Sequence, residues 1–370
     1  MKRTWNILAI SLALAGCAIP PSPPVSRYQP AEWSALPGWP GDDLPASFRA
    51  WKSACPRLKN HTVWADLCAK AELAGNSPAE IRAFLEAHLQ PLRLVNADGS
   101  STGLITGYYE PVYPGSLART DSARYPLYGQ PKDLITVALN EVYPELKGKR
   151  LRGKLVGQKL VPFPDRGEIE RKGLSAPVLA WLNDPLDVQF MQVQGSGRVQ
   201  LPDGQQIRLG YADQNGRPYQ PIGRWLVQQG EMPASAVTMQ SIRDWAATHP
   251  DRINSLLDSN PSYVFFRTLP PSSDGPLGSL NTPLTAGRSI AVDPNTIPLG
   301  SLTFISTNQP DTGASVQRVV AAQDTGGAIK GSVRADFFWG TGKEAGELAG
   351  RMKQDGSLWL LWPKARGLPQ

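Results

Sequence analysis

The chain is poor in the residues that build metal centres and thiol chemistry, with three cysteines and three histidines among 370 residues. His61, His88 and His249 are dispersed and no Cys/His cluster exists, so a metal site has no support and no cofactor is expected. After residue 16 no apolar run approaches the roughly 20 residues that a membrane-crossing helix needs. No basic run or basic helix marks a nucleic-acid surface, and nucleic acid is not expected as a partner. No internal repeat is present. Chemistry must therefore rest on carboxylates, hydroxyls, amides and aromatic faces.

The N-terminus, MKRTWNILAISLALAGC, places Lys2 and Arg3 before a short apolar stretch from Ile7 to Ala15. Such a stretch is a secretory h-region rather than a span. Leu14, Ala15, Gly16 and Cys17 look like a bacterial lipoprotein cleavage box, making Cys17 the lipidated first residue of the mature chain. The alternative is an ordinary signal peptide with Cys17 incidental, and four matching box positions weigh against it. Ala18, rather than Asp, follows Cys17, which favours the outer membrane, with the body facing the periplasm. Without residues 1–16 the balance is 36 basic to 32 acidic side chains, a net +4 that suits an anionic polymer such as cell-wall peptidoglycan. In an oxidising compartment Cys55 and Cys68 either form a disulfide or remain buried thiols, since both fit apolar helix faces.

Residues 17–42, running on from Cys17 as AIPPSPPVSRYQPAEW, read as a Pro-rich tether of extended geometry. Between about residues 43 and 92 the pattern is helical. Ser77, Pro78 and Glu80 form a capping box, and Ile81, Phe84, Leu85, His88 and Leu89 recur on one face, where His88 reads as a core residue. From Gly103 the composition turns to β-branched and aromatic residues punctuated by Gly and Pro, as in TGYYEPVYPG and FMQVQGSGRVQLPDGQQIRLGY, which predicts short strands with a hairpin at Asp203-Gly204. A second helical patch carries Ile222, Trp225 and Leu226 at core spacing and stops at Gly230. Strands return from Tyr263 to Trp362. The charged stretch Lys147 to Gly173 reads as a variable loop region. Trp51, Trp225, Trp245 and Trp359 count as core.

Two aspartates stand twelve residues apart in RVVAAQDTGGAIKGSVRADFFWGTG. A paired carboxyl set in tightly turning backbone is a common design for acid catalysis on a sugar bond. Asp336 is followed by Phe337, Phe338 and Trp339, apolar surface able to raise a carboxyl pKa towards general-acid values. Asp324 precedes Gly326 and Gly327, which permit close approach by a saccharide or a loop. A third, Asp293, lies at a strand end before Pro294. An Asp beside Gly or Pro is ordinarily a turn residue, and for Asp293 that reading stands level with function.

These segments, with TGYYEP, QGSG, NPSYVFF and SIAVDPNTIPLGS, resemble the three-aspartate, double-psi β-barrel domain of the membrane-bound lytic murein transglycosylase A family, over nearly the whole mature chain. The resemblance implies a mainly β fold with helices in two domains. Residues 43–103 and 250–370 would form the barrel domain, and residues 104–249 an inserted β domain, with a glycan groove between them. It implies cleavage of the MurNAc–GlcNAc β-1,4 bond without water, leaving 1,6-anhydroMurNAc ends, with Asp336 as the single acid and base and Asp324 as its electrostatic and positioning partner. Thr106, Tyr108, Tyr109, Glu110, Gln194 and Ser196 would face the glycan, beside Gly326 and Gly327; Lys330 nearby either pairs with a carboxylate or holds a substrate anion. For Tyr108 alone a strand-edge role is the stronger reading. Ser196 as a nucleophile lacks a base. Expected partners are peptidoglycan strands, the outer membrane and a wall-remodelling complex. Two rivals remain: a hydrolase using both aspartates, and a wall-binding lipoprotein without activity.

Overall fold

The computed structural model describes residues 27–146, 149 and 151–369. Cys17, its cleavage box and the first part of the tether lie outside the described residues. A short strand β1 (Tyr28–Pro30) precedes helices α1 (Leu44–Lys52), α2 (Cys55–Leu58) and α3 (Ala65–Glu72), and α4 (Pro78–His88) runs directly into β2 (Leu89–Leu94). Asp43 caps α1 by accepting from the Ala46 amide at 3.1 Å, and Ser77 and Glu80 form the expected reciprocal box at α4. Cys55 and Cys68 are disulfide-bonded, closing a separation of 13 residues between α2 and α3.

After β3 (Gly103–Glu110) come β4 (Val112–Ser116), β5 (Tyr125–Tyr128), β6 (Ile135–Thr136), the hairpin β7 (Arg152–Val156) and β8 (Lys159–Pro162), and helix α5 (Arg166–Lys172). The chain continues through β9 (Val178–Leu182), α6 (Pro185–Gln194), β10 (Ser196–Gln200) and β11 (Gln206–Gln214). Helices α7 (Ile222–Gln228), α8 (Met239–Thr248) and α9 (Ile253–Asp258) lead to β12 (Val264–Leu269). Strands β12-β11-β10-β4-β9-β5 form one sheet and β6-β7-β8 a smaller one. The β10–β11 hairpin turns at Gly204, with φ 87°, as the Asp-Gly pair predicts.

Two local expectations are overturned here. Phe190–Gln194, read as strand, is the last stretch of α6. Asp184 accepts from the Leu186 amide at 2.8 Å, Pro185 fills the first helical position, and Gly195 stops the helix in a left-handed conformation. These end signals outweigh local strand propensity. The charged stretch, read as loop, carries the β7–β8 hairpin, turned at Gly157 with φ 60°, and α5, capped by Asp165 and Glu168.

Strands β13 (Ser289–Val292), β14 (Leu302–Asn308), β15 (Ser315–Thr325) and β16 (Ala335–Thr341), helix α10 (Lys343–Arg351) and β17 (Lys353–Pro363) complete the fold. Strands β17-β14-β15-β13-β16-β3 make a ring that closes where β3 pairs with β17, giving a six-stranded barrel. β2 and β1 extend from β17. By pairing, β3 belongs to the barrel and β12 to the inserted sheet. By strand pairing the chain passes from the barrel to the inserted sheet at Pro111 and returns after Leu269.

Phe48, Trp51 and Trp64 of the helical segment are buried with Phe304, Phe337 and Leu360 of the barrel in one core. The indole N–H groups of Trp51 and Trp64 donate to the Gly300 and Leu299 carbonyls at 2.8 and 3.0 Å, so their polar edges are satisfied inside it. Both crossings between the domains are held by two buried arginines. Arg198 and Arg208 are register partners on β10 and β11. They donate to the carbonyls of Pro270, Ser272, Asp274 and Gly275 on the return crossing, and Arg198 pairs with Glu110, the last residue before Pro111, at 2.8 Å.

Candidate active site

A groove of about 620 Å³ runs between the barrel and the inserted domain. Asp324 and Asp336 line its barrel side with Tyr108, and Gln194 and Ser196 line the opposite side. The barrel register brings the two acids together. Ala291 on β13 pairs with Asp324 on β15 and with Asp336 on β16, and Asp336 pairs in turn with Thr106 on β3. Partners in register point to one face, so the aspartates flank a single methyl group at α-carbons roughly 10 Å apart, two strand spacings.

Asp336 is half-buried on the groove floor and accepts from Thr106 Oγ1 at 2.6 Å. Burial is the largest influence on its carboxyl and pushes the pKa up to about 6. The Thr106 hydrogen bond and the Arg334 charge pull it down, and the Asp324 charge pushes it up further. Asp324 accepts from the Ser279 amide at 2.9 Å, the Ser279 hydroxyl at 2.8 Å and the Thr325 amide at 2.8 Å. Burial still raises its pKa against those three donors. The Tyr108 hydroxyl lies beside Asp324 without regular hydrogen-bond geometry, and burial followed by the two aspartate charges keeps it protonated. The pair thus offers one carboxyl poised near neutrality and one held by fixed donors. That division suits proton transfer by Asp336 and charge stabilisation by Asp324.

The remaining residues named from sequence separate into three groups. Tyr108, Gln194, Ser196, Gly326 and Gly327 line the groove. A Cβ on Gly326 would meet the Ile329 side chain at 2.7 Å, so Ile329 packs close over this turn. Thr106 acts on Asp336 rather than lining the groove. Tyr109 and Glu110 are corrected. Alternation along β3 turns Tyr109 away from Tyr108, onto Gly346 of α10, with its hydroxyl 3.1 Å from that of Tyr113. Glu110 is fully buried, accepting from Arg198 and from the Thr341 hydroxyl at 2.8 Å, and holds the domain crossing. Lys330 is exposed, 3.9 Å from Asp293, and is not among the groove-lining residues. Asp293 accepts from the Gly331 and Asn295 amides at 3.0 and 3.2 Å. Burial pushes its pKa up, but these donors and Lys330 outweigh it and hold the carboxyl below its ordinary value. It anchors the loop that carries the chain from β15 to β16.

Sequence reading missed Ser279 and Arg334. Ser279 lies in a loop, GPLGSLN, that packs on β15, where a Cβ on Gly278 would meet the Gln323 carbonyl at 2.6 Å. The glycines signal close approach, though nothing local names the partner. Among the described residues no group of three or more His, Cys, Asp or Glu side chains could hold a metal ion.

Residues 104–267 match the MltA specific insert domain and residues 288–362 the 3D domain. The membrane-bound lytic murein transglycosylase A of Escherichia coli K12 is 33% identical over 297 residues, spanning 78% of this chain and 72% of that protein. The chain belongs to the membrane-bound lytic murein transglycosylase A family. Among solved structures, MltA from Neisseria gonorrhoeae superposes with a TM-score of 0.81 at 37% identity, covering 92% of this chain and 93% of that one. E. coli MltA with bound chitohexaose gives 0.70 at 28% identity, covering 91% and 95%. The expected two-domain, mainly β architecture with a closed barrel is the one found. The two matched domains share the groove: the insert match contains Tyr108, Gln194 and Ser196, and the 3D match contains Asp324 and Asp336.

Proposed function

We propose that this chain is a peptidoglycan lytic transglycosylase that cleaves the MurNAc–GlcNAc β-1,4 bond and leaves a 1,6-anhydroMurNAc end. Asp336 gives its proton to the glycosidic oxygen as the C1–O bond breaks. The C6 hydroxyl of the same muramic acid attacks C1, and the Asp336 carboxylate takes the proton that the hydroxyl releases. Atoms balance without water, and the nucleophile's high effective concentration comes from the substrate ring. Asp324 stabilises positive charge that develops on the sugar. Family membership supports the reaction class; the observation that carries the residue assignment is that Asp336 lines the groove in register with Asp324 across β13, with burial raising its pKa. The outer-membrane anchor at Cys17 belongs to the same reading, supported by relatives named as membrane-bound and by the lipoprotein box. Among the described residues no helix is long and apolar enough to cross a membrane.

Turnover of purified peptidoglycan by two variants tests the assignment. Asp336→Asn should lose about 10² to 10⁴ in rate while still binding glycan, and Asp324→Asn should lose less. The opposite order would exchange the two roles, and two active variants would move the site elsewhere.

A further inference from the structure

Thr106 Oγ1 stands between Arg334 Nη2 at 2.9 Å and Asp336 Oδ1 at 2.6 Å. A hydroxyl has one hydrogen and two lone pairs, whereas a guanidinium only donates. Arg334 therefore occupies a lone pair of Thr106, and the Thr106 hydrogen is left to Asp336 Oδ1. Arg334 is fixed in turn, donating from Nη1 to the Ala335 carbonyl at 2.5 Å and towards that of Leu104 at 3.4 Å. Its charge polarises the Thr106 O–H and strengthens the 2.6 Å bond to Oδ1.

We propose that Arg334 and Thr106 are positioning residues that keep Asp336 Oδ1 an acceptor and so place the catalytic proton on Oδ2. The proposal rests on the reading of Asp336 as the acid. A proton on Oδ1 would point at Thr106, force the Thr106 hydrogen off its acceptor, and be lost to the glycosidic oxygen. With Oδ1 reserved, Oδ2 gives the proton to the leaving oxygen. It then takes the next one from the C6 hydroxyl, while Thr106 stabilises the carboxylate in between. One oxygen performs both halves of the reaction. The other groups around Asp336 are Asp324 across β13, Tyr108 two residues beyond Thr106 on β3, and the uncharged Ala291 and Phe338; Lys353 pairs in register with Thr106 on β17. Of these, Asp324 disfavours ionisation of Asp336, whereas Arg334 and Thr106 favour it.

The test is the pH dependence of kcat/KM for solubilisation of purified peptidoglycan by the full-length enzyme. Activity that needs protonated Asp336 falls on the alkaline side of its pKa. Thr106→Val and Arg334→Gln remove groups that favour the carboxylate, so each should move this alkaline limb upwards, by about one pH unit, and lower the peak rate about tenfold or more. Thr106→Ser, which keeps the hydroxyl, should return the limb to its wild-type position. Thermal melts identify a variant that has not folded; Arg334→Gln, altered at a half-buried side chain, then carries the test alone. A lowered rate with an unmoved limb in Arg334→Gln would mean support of the fold only and would overturn the proposal, as would a downward shift. Asp336→Asn is run alongside. If it stays active, the acid assignment itself has failed; if it is dead and the limbs are unmoved, the relay alone has failed.

Discussion

A carboxyl whose pKa burial raises to about 6 destabilises the fold when it ionises. The folded pKa of Asp336, about 6, exceeds its ordinary 3.8, so the unfolded chain releases the proton first and stability falls as pH rises from about 4 through 6. Above that window the cost is on the order of 2–3 kcal/mol, and below it there is none. Asp336→Asn should therefore be more stable than wild type at pH 7 by an amount of that order and equal to it near pH 3.5, measured by chemical denaturation at both values. A variant equally or less stable at pH 7 would contradict the burial argument. That Asp336 lines the groove agrees with the place its motif implied. Asp293 shows the converse: its Pro and turn context left turn and function level, and the bond it accepts from the Gly331 amide across the loop leaves no local mark.

Most elements were readable where end signals and periodicity coincide, as at Ser77 and at Asp203-Gly204. α6 was not, because its Asp-Pro start and Gly195 stop enclose residues of strand-like composition. Glu110 could not be placed for a different reason. TGYYEP alternates along a strand, so Tyr108 faces the groove while Tyr109 does not, and the partner of Glu110 is 88 residues away on β10. Long-range pairing leaves no local mark. Arg198→Ala would strand Glu110 as a buried charge without its arginine and leave Arg208 alone on the return crossing, with an expected loss of about 3–5 kcal/mol in denaturant unfolding. A loss under 1 kcal/mol would show that the two crossings hold without it. Ser279 and Arg334 escaped notice similarly, since each acts on a residue named from its own motif.

At the scale of the molecule, a barrel and an insert bound by two pinned crossings enclose one groove, and both walls contribute the residues that line it. The sequence pattern indicated helix, β, helix, β, while the closure of β3 onto β17 became visible only in three dimensions. If Cys17 is the sole anchor, Cys17→Ser should leave a periplasmic protein that fractionates with soluble material and still digests peptidoglycan. Retention in the membrane fraction would contradict that. The central claim is that the muramic C6 hydroxyl, not water, completes the cleavage. Digestion of purified peptidoglycan in ¹⁸O-water followed by mass spectrometry of the muropeptides measures this directly. The account predicts anhydromuramoyl ends free of ¹⁸O and about 20 Da lighter than ends hydrolysed by ¹⁸O-water. Reducing ends carrying ¹⁸O would identify a hydrolase and contradict it.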